Sequence, residues 1–327
     1  MNYYFAPMEG ITGHIYRRVH GECFRSPDKY FTPFLVPGTK KIFRNREIQD
    51  ILPENNPGLT VVPQILTGKS EDFIRGAREL QRYGFQEINL NLGCPSGTVV
   101  AKGKGSGMLA DPDQLEAFLD EIFSALDLKI SVKTRIGLEE PEEFSRLLTL
   151  FNRFPLSELI VHPRLRKDFY KGKPDLEAFA LAVRESKNPL CYNGDLFSKE
   201  MVRQFTEQFP SVDRLMLGRG LVANPALLNE LYGEPGLSKE SFLHFHDRLV
   251  EEYRGVMSGD KDVLFKMKEL WFYMSHLFTS PETYMKKIKK AGSLAVYFFK
   301  KPFFYFLSVS HEVTSLYFFL YYNITCV

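Results

Sequence analysis

The sequence has little of several things that would settle its class at once. Four cysteines, Cys23, Cys94, Cys191 and Cys326, stand in 327 residues. They are too few and too scattered for a disulfide framework, so a reducing, cytoplasmic setting is the expectation. No two are close enough for metal-ligand spacing, and no metal is expected. The net charge is only +2, and this balance says little about partners. The opening MNYYFAPMEG lacks the basic stretch and apolar run of a secretory signal. Long apolar runs are missing too. The nearest candidate, 303–327, is strongly aromatic but is interrupted by Ser308, Ser310, His311 and Glu312. A spanning helix needs about 20 apolar residues, so this atypical tail is expected to pack on preceding helices.

What is present is a hydrophobic content of 44% with a repeating order. Short apolar runs alternate with longer amphipathic stretches. Strands are expected at Tyr3 to Met8, Tyr30 to Leu35, Leu59 to Leu66 and Phe85 to Asn91. Four more follow at Leu128 to Thr134, Leu156 to Val161, Leu190 to Asn193 and Val212 to Leu217. Helices are expected between them, opening near Thr12, Asp113, Glu139 and Leu176. One carries Phe73, Ile74, Ala77 and Leu80 on one face, and another Met201, Val202 and Phe205. Eight such units fit a (β/α)₈ TIM barrel over residues 1–232 better than an open doubly wound sheet. Gly233, Pro235 and Gly236 then mark a break. Residues 238–327 read as a smaller, all-helical domain. Leu264, Met267, Trp271 and Met274 recur there at helical spacing, and Ser280-Pro281 reads as a helix start. Lys286, Lys287, Lys289 and Lys290 follow. They form either a solvated face or a phosphate-binding one, and cannot all share one narrow stripe.

In a barrel the active site lies at the C-terminal ends of the strands, where the βα-loops converge. Seven of the eight expected strands deliver polar groups or glycines to that rim. They are Pro7-Met8-Glu9-Gly10, Gln64, Asn91 with Cys94, Lys133 with Arg135, His162 with Arg164, Asn193-Gly194-Asp195, and Gly218-Arg219-Gly220. Cys94 sits between Gly93 and Pro95, off any periodic apolar face. A thiol with an ordinary pKa of about 8.5 is mostly protonated at neutral pH and can donate a proton. A nucleophilic role would need His162 to reach it in space. Lys133, ending an apolar strand, reads as a cation facing a polar ligand, and His162 as a site residue. The two late glycine motifs suit a phosphate, with Arg219 adding a charge-assisted bond. Gly103-Lys104-Gly105-Ser106-Gly107 does not match a nucleotide-hydrolysing phosphate loop.

At these residues the chain strongly resembles the tRNA-dihydrouridine synthase family. The likeness is carried by Ala6-Pro7-Met8, Gln64, Asn91-Leu92-Gly93-Cys94-Pro95, Lys133-Thr134-Arg135, Val161-His162-Pro163-Arg164, Asn193-Gly194-Asp195 and Gly218-Arg219-Gly220. The resemblance implies FMN in the barrel and NADPH as its reductant, with tRNA as substrate, clasped partly by the helical domain. It places Pro7, Met8, Glu9, Gln64, Lys133 and His162 at the flavin ring. Asn193, Gly194, Asp195, Gly218 and Arg219 fall at the ribityl phosphate. Cys94 becomes the catalytic acid that protonates C5 of a uracil after hydride reaches C6. Asn91 positions that uracil. Arg135, Arg164, Lys286, Lys287 and Lys290 are assigned to the RNA. The base must leave its stack to enter such a mouth.

Three other readings are weighed against this one. A flavin barrel could act on a free pyrimidine or small enone, but the lysine-bearing helical domain favours RNA. A noncatalytic RNA-binding barrel would not need Cys94, Lys133 and His162 together. A phosphosugar isomerase or aldolase would need a carboxylate base or a Schiff-base lysine at the rim; Lys133 could nominally serve, and absence of bound flavin would revive this reading.

Overall fold

A computed structural model of the chain describes residues 1–277 and 281–299. The expected cap Ser280 and the aromatic run 303–327 lie outside the described residues. Nine short parallel strands form one sheet: β1 (Asn2–Phe5), β2 (Lys29–Phe31), β3 (Val61–Val62), β4 (Gln64–Ile65), β5 (Glu87–Leu92), β6 (Lys129–Arg135), β7 (Leu159–His162), β8 (Leu190–Tyr192) and β9 (Arg214–Leu217). β1 pairs with both β2 and β9, which brings the two ends of the series together. β3 and β4 are two halves of one extended stretch, broken at Pro63, which has no N–H for the ladder. One half pairs with β2 and the other with β5, and Pro63 still accepts from Asn89 N at 2.9 Å. The result is the expected α/β barrel, followed by a helical region.

Some boundaries differ from the sequence reading, for local reasons. The second strand ends at Phe31 because Pro33 follows. The helix expected at Glu139 opens at Glu143. Pro141 precedes it, and the Glu143 carboxylate accepts the N–H groups of Leu138, Glu139 and Glu140 at 2.8–2.9 Å. A short helix at Asn45–Ile51 was not expected.

Period-two alternation decides what fills the barrel. In β5, Ile88, Leu90 and Leu92 point outward to the helices and are fully buried. Glu87, Asn89 and Asn91 share the opposite face. At the N-terminal end, Lys29 bonds Glu87 and Glu158, and Tyr4 Oη donates to Glu158 at 2.6 Å. Above this plug lies an apolar cluster of Tyr4, Phe31, Val62, Ile160, Cys191 and Met216. Buried amides come next. Gln64 Nε2 donates to Asn89 Oδ1 at 2.7 Å, and Asn89 Nδ2 donates to Ser131 at 2.9 Å. A buried amide left unbonded would cost roughly 1–3 kcal/mol, so this mutual satisfaction is what permits polar residues here.

The helical region runs through Lys239–Val256, Asp260–Met274, Pro281–Lys289 and Leu294–Phe299. Phe245 packs edge-on against Tyr16 and Phe24 of the first barrel helix, His14–Cys23, and its end. Arg248 reaches Glu22 at 3.2 Å, and Lys266 Nζ donates to the Gly10 carbonyl at 2.6 Å. Among the described residues, no helix is long and apolar enough to cross a membrane.

Candidate active site

Strand register brings the rim residues together. Asn91 pairs beside Lys133, and Arg135 beside His162. The loop after β5 carries Cys94, which is half-buried and not in a disulfide. Its backbone is held from three directions. Asn91 Oδ1 accepts from Gly93 N at 3.0 Å and Cys94 N at 2.9 Å. Ser106 donates through Oγ, at 2.8 Å, and through its backbone N–H to the Cys94 carbonyl. Arg135 Nε donates to the Gly93 carbonyl at 2.9 Å. Gly105, at φ +58°, lies so close that a Cβ would stand 2.9 Å from the Cys94 oxygen, so only glycine fits. Asn91 Nδ2 in turn donates to Gln64 Oε1 at 2.7 Å. Asn91 and Gln64 are therefore tied to the cysteine loop and the amide layer, with one N–H of each amide remaining.

The mouth is rich in positive charge. Lys133 has its pKa pulled down to about 7, first by burial in the barrel and then by Arg135. His162 is held well below its usual value by burial and by Arg135, Lys133, Arg164 and Arg219. It is therefore neutral at pH 7. Arg164 Nη1 lies 3.1 Å from His162 Nε2, which must act as acceptor, so the ring proton sits on Nδ1. Asp195 is the acid that answers these cations directly. It takes both Nη atoms of buried Arg164 and one of Arg219. Arg164 also donates to the carbonyls of Lys171, at 3.2 Å, and Gly172, at 2.7 Å. All three of its nitrogens are thus engaged within the protein, tying the loop after β7 to the loop after β8.

The remaining predicted residues are distributed as follows. Pro7 and Met8 are half-buried, and Met8 N donates to Thr12 at 2.8 Å. Glu9 is exposed and stands 3.9 Å from Arg46. Asn193 is buried and donates to the Met216 carbonyl at 2.8 Å. Gly194 and Gly220 are close-packing positions, where a Cβ would overlap Tyr192 Oη and the Leu196 carbonyl. Gly218 faces Ala6 and Met8 more openly. Lys286, Lys287 and Lys290 lie on the helix Pro281–Lys289 and just past its end, away from this rim in the chain.

Two side chains that touch the site were not singled out in the sequence. Ser106 carries no periodic signal. Tyr170 sits among charged residues and reads as ordinary surface. Phe169 before it has φ +52°, and this turn brings the Tyr170 ring within 4.8 Å of Arg219 and 5.5 Å of Arg135.

The arrangement suits an anionic, hydrogen-bonding cofactor such as FMN. Lys133, Arg135, Arg164 and Arg219 act together on His162, while Asp195 pairs with only Arg164 and Arg219 and Asp168 acts on Arg135, so cations outnumber these acids in a partly desolvated mouth.

Comparison with known proteins bears on the family of the chain. A family model described as dihydrouridine synthase (Dus) matches residues 4–294. A probable tRNA-dihydrouridine synthase of Staphylococcus aureus is 31% identical over 275 residues, covering 81% of this chain and 80% of its own. A probable tRNA-dihydrouridine synthase 2 of Bacillus subtilis is 31% identical over 261 residues, covering 76% and 78%. Among solved structures, morphinone reductase in complex with tetrahydroNAD superposes with a TM-score of 0.51 at 13% identity, covering 74% of this chain and 90% of that one. TcOYE with pHBA gives 0.54 at 10% identity, covering 74% and 92%. These two likenesses bear on the fold alone.

Proposed function

The chain belongs to the dihydrouridine synthase family of FMN-dependent oxidoreductases, and from that premise we propose that it reduces a uridine of tRNA to 5,6-dihydrouridine. The observation that carries the proposal is the Cys94 loop, pinned by Asn91, Ser106 and Arg135 at the edge of a cationic barrel mouth.

FMN, when bound, supplies the hydride that adds to C6 of the uracil and is replenished from NADPH. Cys94 holds the proton that adds to C5, so its thiol gives up one proton per turnover and regains it from solvent. Lys133, His162 and the remaining N–H of Gln64 hold the polar edge of the cofactor. His162 does so as a neutral donor through Nδ1. Lys133 favours a ring that carries negative charge. Pro7, Met8 and Glu9 border the ring from the β1 loop. Arg219, Gly218, Asn193 and Gly194 hold the phosphate end, with Asp195 positioning Arg219. The remaining Asn91 N–H serves the uracil. Arg135 sets the cysteine loop, and Arg164 acts through Asp195 and the loop bearing Tyr170. Lys286, Lys287 and Lys290 contribute to tRNA from the helical region.

The test is dihydrouridine mapping on total tRNA from cells with and without the gene, joined to single-turnover kinetics of the purified protein. One or more positions should lose dihydrouridine without the gene. Cys94→Ala should retain bound flavin and lose most flavin reoxidation by tRNA. An unchanged map with no redundant enzyme present overturns the proposal, and a wild-type reoxidation rate in Cys94→Ala overturns the acid assignment.

A further inference from the structure

Positive charge is also concentrated outside the Lys133, Arg135, Arg164 and Arg219 cluster. Residues 38–46, GTKKIFRNR, hold Lys40, Lys41, Arg44 and Arg46 and no acid, in a chain of net charge +2. All four side chains are exposed. The segment is nonetheless firmly seated. Phe43 is buried, and Pro37 and Phe43 lie against Gly76 on the helix Ser70–Arg82. Arg75 of the same helix donates to the Gly38 carbonyl at 2.9 Å.

That helix begins just after exposed Lys69, which adjoins a second basic loop. Gly68 lies so close to the Gly103 carbonyl that a Cβ would come within 2.3 Å. Lys102 and Lys104 stand on either side of Gly103, and Gly105 touches Cys94. At the other end, Arg46 approaches Glu9 at 3.9 Å, and Lys266 of the helical region bonds Gly10. Seven cations thus lie in a crescent of connections after β2, β4 and β5, running from the β1 loop, where the helical region is bonded, to the cysteine.

The acids nearby do not neutralise this crescent. Glu47 accepts from the backbone N–H groups of Val36 and Arg44. Asp72 takes Arg75, and Glu71 is exposed beside Lys69. Among the described residues, Lys40, Lys41, Arg44, Lys69, Lys102 and Lys104 enter no ion pair. A single charge run is ordinarily a solvated face. Here three separate loops present the same sign, the first seated on the helix that follows Lys69 and the second packed on the third, and the series ends at the reactive loop.

We propose that this crescent carries the phosphate backbone of the tRNA substrate toward the Cys94 mouth. The inference rests on the tRNA reading above and assigns part of the backbone path to the β1–β5 side of the barrel. Clustered like charges there repel one another, and binding a polyanion relieves that repulsion while releasing the counterions condensed on the polyanion.

The experiment compares the flavin-loaded wild type with K40Q/K41Q/R44Q, titrated against tRNA across a range of salt concentrations. Each lost phosphate contact should reduce the slope of log affinity against log salt by about 0.7–0.9, so the triple variant should lose about 2.1–2.7. Its tRNA affinity at low salt should fall on the order of 10- to 100-fold. K102Q/K104Q should shift the slope in the same direction. Melting temperature checks folding, and K40Q/K41Q alone keeps the comparison open should the Arg44 change unfold the loop. A wild-type slope in a folded variant, while the wild type still modifies tRNA, overturns this inference alone. A wild-type enzyme that leaves tRNA unmodified overturns the tRNA reading and this path with it.

Discussion

Asn91 has one short side chain and serves three neighbours. Its oxygen fixes two consecutive N–H groups of the cysteine loop, and its nitrogen joins the loop to Gln64. Truncation should let the thiol drift. A misplacement of about 1 Å at a reacting group costs about 100-fold in rate. Asn91→Ala should therefore slow flavin reoxidation by tRNA about 100-fold, while NADPH still bleaches the flavin at a rate close to normal. Stopped-flow absorbance of the two half-reactions separates the effects, and an unchanged second half-reaction contradicts the role. At this scale much of the site was legible. Cys94, Lys133, His162 and Arg219 stand at strand ends, where barrel geometry alone makes a side chain converge. Ser106 and Tyr170 were not legible because their positions depend on loop paths, the latter on the positive φ of Phe169. Nor could spacing reveal that Arg164 turns all its nitrogens inward, since its partners lie on other loops.

The helices of the C-terminal region are joined by polar bonds inside an apolar contact. Tyr297 Oη accepts from Trp271 Nε1 at 2.5 Å and meets His246 Nε2 at 2.6 Å, linking Leu294–Phe299 to both long helices. Tyr297→Phe keeps the ring and removes that oxygen. The cost should be about 1–3 kcal/mol, because two buried nitrogens lose a partner. Hydrogen exchange should show faster exchange in Leu294–Phe299 and the C-terminal half of Asp260–Met274, with the strands unchanged. Equal protection in both proteins would show the bonds to be dispensable. Strand and helix types were legible from periodicity, and their ends were less so. Glu143 moves a helix start by gathering three backbone N–H groups, a three-dimensional act that periodicity does not record. The helix Asn45–Ile51 offers only Ile48 and Ile51 as apolar positions, too few for a stripe.

For the molecule as a whole, a buried cation such as Lys133 is a burden on stability, which binding of the proposed anionic cofactor should relieve. Lys133→Met should raise the stability of the flavin-free protein on the order of 1 kcal/mol, because an uncompensated cation is replaced by an apolar chain of similar volume. It should weaken FMN binding at the same time. The pH dependence has a definite sign. Lys133 has a folded pKa of about 7 against 10.5 for the ordinary side chain. Between those values the unfolded chain binds more protons, so wild-type stability gains as pH rises through that window. The advantage of Lys133→Met should shrink as pH rises from about 7 toward about 9, inside that window. Thermal melts of both flavin-free proteins check this, and a constant gap contradicts it. The barrel itself was legible because eight alternations leave few other architectures. The split at Pro63 was not, since the sequence run reads as one strand. The pairing of β1 with β9 has a last consequence, for the order of events at the ribosome. Tyr3, Tyr4 and Phe5 are synthesised more than two hundred residues before their partners Leu215, Met216 and Leu217. During synthesis one edge of the first strand stays open for nearly the whole barrel, and the ring can shut only when the last strand arrives.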